Sequence, residues 1–207
     1  MAQYSKTIEK AVFIDRDGVI NPLVYSAENG TVDSPFCPKH FKLLPKVGKA
    51  IRILNALNYK VVIVSNQPGI AKNKCKLADL KLIESKMLSS LKRKNATIDD
   101  IYYCLHHPAA LNLFYKKVCR CRKPKPGLIL NAAKKHNINL ALSYMIGDNI
   151  SDIQAGNAAG CKTIFIGLLK CDHCKIMHKK GIHPDFIVKD LFEAATLIKR
   201  TYEVRDK

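Results

Sequence analysis

The chain has 207 residues, 47% of them hydrophobic, and 35 Lys and Arg against 17 Asp and Glu give it a net charge of +18. That length forms one sizeable α/β domain rather than two. No apolar run is long enough to span a bilayer and no apolar leader precedes the first strand, so a cytoplasmic protein with no membrane partner is expected.

Strands are predicted at Ala11–Asp15, Lys60–Ser65, Asp100–Cys104, Ser143–Ile146, Lys162–Ile166 and Phe186–Val188. Helices are predicted between them at Lys46–Asn58, Lys76–Lys94, Gly127–His136, Ser151–Ala159 and Leu191–Tyr202. In the second of these, Leu77, Leu80, Ile83, Met87 and Leu91 recur at helical spacing, with Asp79 in the first turn and Lys92, Arg93 and Lys94 in the last. Strands alternating with helices imply an α/β fold with a doubly wound, mostly parallel sheet. Two connections are long, Ile20 to Pro45 and His106 to Pro126, and both should emerge at strand carboxyl ends, where such sheets bind ligands. In the first, Val24-Tyr25 and Thr31-Val32 flank Asn29-Gly30, the pattern of a small β-hairpin.

The first strand, VFIDRDGVIN, runs from apolar residues into Asp15, Arg16, Asp17 and Gly18. On an extended strand Asp15 and Asp17 share one side and Arg16 faces the other. Two close carboxylates repel unless a cation or a shared proton stabilises them, and a hard divalent ion such as Mg2+ does so. The second strand ends in VSNQPGIA, where the Ser65 hydroxyl, Asn66 and fresh backbone N–H groups suit phosphate oxygens. In CRKPKPG, Lys123 can neutralise a phosphate or a carboxylate, and Arg122 can bind a second phosphate with its fork. In IGDNISDIQAG, Asp148 repeats the placement of Asp15 on another strand, and Asp152 follows at a helix start.

Eight cysteines, unevenly spread, argue for metal binding or free thiols rather than a disulfide framework. Cys104 and His106 form one pair and Cys119 and Cys121 another, flanking a single loop; three thiolates and an imidazole suit tetrahedral Zn2+. His107 is an alternative to His106. A further set, Cys171, His173, Cys174, His178 and His183, is a candidate second metal site, although its spacing matches no familiar pattern. The positive charge is spread over the whole chain without an aromatic-rich RNA-binding motif, which reads as a lysine-rich surface and argues against a nucleic-acid partner.

Taken in order, VFIDRDGVIN, VSNQPGIA, CRKPKPG and IGDNISDIQAG resemble the four motifs of the haloacid dehalogenase-like (HAD) phosphohydrolases, over about Val12 to Ile166. The resemblance implies a Rossmann-like fold and an aspartyl-phosphate mechanism. Asp15 would be the nucleophile and Asp17 the general acid and then base. Mg2+ would sit on the carboxylates of Asp15 and Asp148 and the backbone carbonyl of Asp17. Ser65 and Asn66 would hold the phosphoryl group, Lys123 would balance its charge, and Asp152 would orient Lys123 or a metal-bound water.

The C-x-H…C-x-C loop before C-R-K-P-x-P-G looks like the HAD subgroup of heptose-bisphosphate and histidinol-phosphate phosphatases. It implies a single domain over residues 1–207 without a large cap, a hairpin flap at about 21–41 and a zinc-stapled loop at about 104–121. It also implies Arg122 on the distal part of a phosphorylated small-molecule substrate. Removal of the 7-phosphate of a heptose 1,7-bisphosphate, in nucleotide-activated heptose biosynthesis, is then the expected activity, by a monomer. Histidinol phosphate is the rival substrate; a nucleic-acid 3′-phosphatase and a zinc-containing binding module without catalysis are the more distant readings.

Overall fold

The computed structural model describes residues 8–27 and 30–205. A six-stranded parallel sheet runs in the order β5-β4-β1-β6-β7-β8, from β1 (Ala11–Ile14), β4 (Lys60–Asn66), β5 (Asp100–Cys104), β6 (Tyr144–Gly147), β7 (Lys162–Ile166) and β8 (Phe186–Val188). A separate antiparallel hairpin, β2 (Val24–Ser26) with β3 (Thr31–Asp33), lies in the connection after β1. The predicted hairpin is present; Asn29 of its turn lies outside the described residues.

β1, β4, β6 and β7 are buried on both faces, which is why they read as continuous apolar runs, while the edge strands β5 and β8 are partly exposed. Val12 and Ile14 of β1, with Val61 and Ile63 of β4, turn toward α1 (Val47–Ala56), α2 (Leu77–Lys92) and α6 (Leu191–Arg205). Ala11 and Phe13, with Val62 and Val64, turn the other way onto α3 (Gly127–His136) and Ala155 of α4 (Ile150–Ala159). On α2, Leu80, Ile83, Met87 and Leu91 are buried as the spacing requires, whereas Leu77, one turn earlier, is 42% exposed. Asp79 accepts a hydrogen bond from the Lys76 backbone N–H (2.8 Å) and so caps that helix.

Among the described residues one α-helix was not predicted: α5 (Cys171–Lys180). Met177 is its one buried residue, packing with Phe165 of β7. The sequence there, CDHCKIMHKK, has too little apolar periodicity to announce a helix. Among the described residues no helix is long and apolar enough to cross a membrane.

The parallel order puts the carboxyl ends of β1, β4 and β6 side by side at the centre of the sheet. The residues that follow those strands therefore meet, whatever their separation in sequence.

Candidate active site

Asp15 follows β1, its N–H bonded to the Ile146 carbonyl of β6 at 2.9 Å. Asp148 and Asp152 follow β6, and carboxylate oxygens of Asp15, Asp148 and Asp152 all lie within 4.8 Å of one another. Lys123 is buried with its ammonium 3.0 Å from Asp15 and 2.6 Å from Asp152, and it donates to the Val64 carbonyl at 2.9 Å. Burial opposes its charge, but Asp15 and Asp152 outweigh that and hold its pKa above the ordinary lysine value. Asp152 also accepts the Asn149 N–H (3.0 Å), so one buried carboxylate caps α4 and fixes Lys123.

Two glycines permit this crowding. Gly18 has φ +86, and a Cβ there would lie 1.8 Å from Asp148 Oδ2. A Cβ on Gly147 would lie 2.3 Å from the Asp152 side chain.

Three carboxylates against one ammonium leave the cluster short of positive charge. Burial, then the charges of Asp15 and Asp152, push the Asp148 carboxyl up to about 7. An oxygen-only donor set under that repulsion fits a hard divalent cation.

Asp17 departs from the expected alternation. β1 ends at Ile14, so the extended-strand argument does not reach residues 15–17. Arg16, fully buried, does not face away from Asp17 but forks onto its carboxylate: Nε to Oδ1 at 3.1 Å and Nη2 to Oδ2 at 3.0 Å. Asn21 (2.9 Å), Gln67 (2.6 Å) and Ser34 of the segment after the hairpin (2.8 Å) also donate to it. Every partner donates, so Asp17 is engaged as an acceptor, and its carboxylate is not part of the three-acid cluster. Sequence reading missed Arg16, Asn21, Ser34 and Gln67; a buried arginine beside two acids was the available signal.

Ser65 is buried at the end of β4, with its hydroxyl accepting from Gln67 Nε2 at 3.1 Å. Asn66 makes two contacts within the protein that the sequence does not announce. Its amide donates to the Lys123 carbonyl (3.1 Å) and accepts the Lys123 N–H (3.0 Å), pinning the lysine backbone to β4. Asn66→Ala should therefore lower turnover by about 10- to 100-fold through loss of two hydrogen bonds that position Lys123. Turnover within twofold of wild type would show that Lys123 is placed without the clamp.

The cysteine loop forms a second cluster. Cys104, His106, Cys119 and Cys121 converge, with contacts of 3.5 Å (Cys104–Cys119), 3.3 Å (Cys104–Cys121), 3.2 Å (Cys119–Cys121), 3.3 Å (His106 Nδ1–Cys121) and 3.8 Å (Cys104–His106 Nδ1). A tetrahedral zinc with sulfur at about 2.3 Å has ligand–ligand edges of about 3.7 Å, so the donor set and its size fit. Burial and hydrogen bonding to Cys121 raise the Cys104 thiol, as expected for thiols crowded without a cation. His106 faces the sulfurs, while His107 Nδ1 accepts the Ala109 N–H at 3.1 Å, so His106 is the member of this cluster. Arg122 Nη1 reaches the His106 carbonyl at 3.4 Å, which places its guanidinium against the cysteine loop. The second candidate metal set is not gathered: among the described residues two groups of three or more such donors converge, and neither contains Cys171, His173, Cys174, His178 or His183. His173 instead packs edge-on against Phe165, with ring centroids 5.8 Å apart.

The profile of the HAD-hydrolase-like family matches residues 120–194. The D-glycero-beta-D-manno-heptose-1,7-bisphosphate 7-phosphatase of Escherichia coli K12 is 38% identical over 153 residues, 74% of this chain and 76% of that protein. The protein of the same name from Rhodopseudomonas palustris is 38% identical over 72% of this chain and 79% of its own. Among solved structures, the D,D-heptose 1,7-bisphosphate phosphatase of B. bronchiseptica, complexed with magnesium and phosphate, superposes with a TM-score of 0.75 at 28% identity, covering 93% of this chain and 99% of its own.

Proposed function

The chain belongs to the HAD-like phosphohydrolases, in the family of the D-glycero-D-manno-heptose-1,7-bisphosphate 7-phosphatases, and on that premise we propose that it removes the 7-phosphate of D-glycero-D-manno-heptose 1,7-bisphosphate. The observation that carries the reading is the single buried ammonium of Lys123 shared between Asp15 and Asp152, with Asp148 beside them. A lysine so placed sets the rotamer of one carboxylate and leaves a cationic floor for a phosphoryl group.

Asp15 Oδ attacks phosphorus in line, and the bond from phosphorus to the sugar oxygen breaks. Asp17, which must take up a proton as substrate binds, gives it to that oxygen. A water, deprotonated by Asp17, then attacks phosphorus, frees phosphate and restores the Asp15 carboxylate. Ser65 and Lys123 take up the charge of the phosphoryl oxygens. Because Asp17 is held by Arg16, Asn21, Ser34 and Gln67, those four side chains set its direction at each proton transfer. Asp15 and Asp148, with the backbone carbonyl of Asp17, would hold Mg2+, which would supply the positive charge that lets a carboxylate approach a phosphate dianion. Zn2+ on Cys104, His106, Cys119 and Cys121 is structural, and Arg122, at the edge of that loop, recognises the distal phosphate.

Mg2+ binding should depend on pH in a defined direction. The Asp148 carboxyl is raised to about 7, so below that value the folded protein holds a proton that the cation must displace. A raised carboxyl favours folding at low pH, and that contribution is lost as pH rises from its unfolded value through about 7. The thermal stabilisation given by Mg2+ should accordingly be larger above pH 7 than below, its affinity falling about tenfold per unit at lower pH. Equal stabilisation on both sides of pH 7 would remove Asp148 from the metal site.

Phosphate release with Mg2+ from heptose 1,7-bisphosphate in both anomers, histidinol phosphate and a 3′-phosphorylated oligonucleotide tests the substrate. A strong preference for one heptose anomer is expected. Preference for either of the other two would keep the catalytic residues and overturn the substrate.

A further inference from the structure

The positive charge that looks evenly spread in sequence is concentrated in space. A cleft of about 450 Å³ is lined by Lys46, Lys49, Arg52 and Lys94 over the apolar residues Leu43, Leu44 and Val47. A neighbouring cleft of about 410 Å³ shares Leu43 and Lys94 with it and adds Lys42, Lys86 and Arg93. Neither is lined by a carboxylate. Among the described residues none of these seven cations has an ion-pair partner. Some surface lysines elsewhere are paired, as at Lys60–Asp99 and Lys135–Asp100, whereas here Lys86 Nζ and Arg93 Nη2 donate to neutral groups, the Pro38 carbonyl (2.6 Å) and the Ser90 hydroxyl (3.1 Å).

Like charges brought together without an acid repel, and chains ordinarily relieve this by spreading them or interspersing acids. Here the backbone maintains the concentration. Lys46 adopts φ +61, a conformation that favours glycine, immediately before α1. The stem of Lys94 lies against Gly48, where a Cβ would come within 2.6 Å of Lys94 Cδ. The ammonium groups of Lys46 and Lys49 lie 5.4 and 5.0 Å from the Phe192 ring centroid, which holds both on the same side.

We propose that this double cleft between α1 and the end of α2 is a second anion site that binds a compact polyphosphate, separate from the carboxylate site. Several unpaired cations around a small concave volume match closely spaced phosphates better than one monoester. A strand of nucleic acid is a poorer match, because Phe41 is the one aromatic side chain lining either cleft and no stacking platform is formed. None of the lining residues belongs to the catalytic cluster, so the proposal stands or falls independently of the phosphatase reading.

The test is calorimetric titration of the whole protein, in Mg2+-free buffer without chelator, with inorganic tripolyphosphate and separately with adenosine triphosphate. One equivalent should bind, more weakly as salt is raised. Arg52→Glu/Lys94→Glu should weaken it by at least about tenfold per lost cation, with phosphatase turnover unchanged; Arg52→Ala/Lys94→Ala should weaken it by less. Equal affinity for the two ligands identifies the phosphate chain as the determinant, and tighter binding of adenosine triphosphate identifies a nucleotide site. Absence of saturable binding at millimolar tripolyphosphate, or unchanged affinity in the charge-reversed protein, would overturn the proposal. So would a single-stranded RNA that binds the same residues more tightly than tripolyphosphate.

Discussion

Asp15→Asn should lower phosphate release by at least about four orders of magnitude, as removal of a covalent nucleophile does, while the protein stays folded. The two parts of that expectation rest on different contacts. Catalysis fails because the amide is not a nucleophile toward phosphorus, and no other carboxylate can replace it. Asp148 would be engaged by Mg2+ and Asp152 is committed to Lys123 and to the start of α4. Folding survives because Lys123 keeps its contacts to Asp152 (2.6 Å) and to the Val64 carbonyl (2.9 Å), so the buried ammonium is not orphaned. The amide also removes one of three repelling acids. Melting temperature and far-ultraviolet circular dichroism check the fold, and phosphate release under saturating Mg2+ checks the chemistry. Turnover within tenfold of wild type would exclude a mechanism through Asp15.

The second large effect concerns the cysteine loop. Between Cys104 and Cys121 the chain has almost no core of its own: Leu111, Leu113, Phe114 and Val118 are 70%, 78%, 80% and 76% exposed. The four-residue donor cluster ties the two ends of the loop together, while the Leu111 and Asn112 N–H groups hold its tip to the Ala71 carbonyl at 2.9 and 3.0 Å, and the lysine two positions beyond Cys121 is the one that organises the carboxylates. Cys121→Ala, or removal of the metal by a strong chelator, should lower turnover by about 100-fold or more, because Lys123 loses its placement. The melting temperature should fall by at least about 5 °C, corresponding to a few kcal/mol in a chain of this size. Cys171→Ser, at an exposed cysteine outside the cluster, should change neither. One zinc per chain, lost in Cys121→Ala and retained in Cys171→Ser, is the accompanying metal analysis. A Cys121→Ala protein with full activity would show that the loop needs no metal to hold Lys123.

The sequence was informative wherever chemistry lay within a short stretch. The strand at Lys162–Ile166 and the helix at Gly127–His136 have the predicted bounds, since apolar runs and helical spacing are local signals. The convergence of Asp15, Lys123 and Asp148 was foreseen because parallel strands bring their carboxyl ends together. Contacts between distant segments were hidden. Nothing in VSNQPGIA tells that Asn66 bonds to a backbone 57 residues away. The choice of His106 over His107 needed the loop's path, and Asp17's partners needed the turn that follows β1. The basic clefts are assembled from residues 42–52 and 86–94, a juxtaposition that even spacing along the chain concealed.

The central claim is loss of one particular phosphate from a sugar carrying two. Phosphorus NMR of D-glycero-D-manno-heptose 1,7-bisphosphate, followed with the purified protein and Mg2+, reads that directly. The C7 phosphomonoester resonance should disappear into inorganic phosphate while the anomeric C1 phosphate persists. Loss of the C1 phosphate first, or no change in either resonance with a folded, zinc-containing protein, would contradict it.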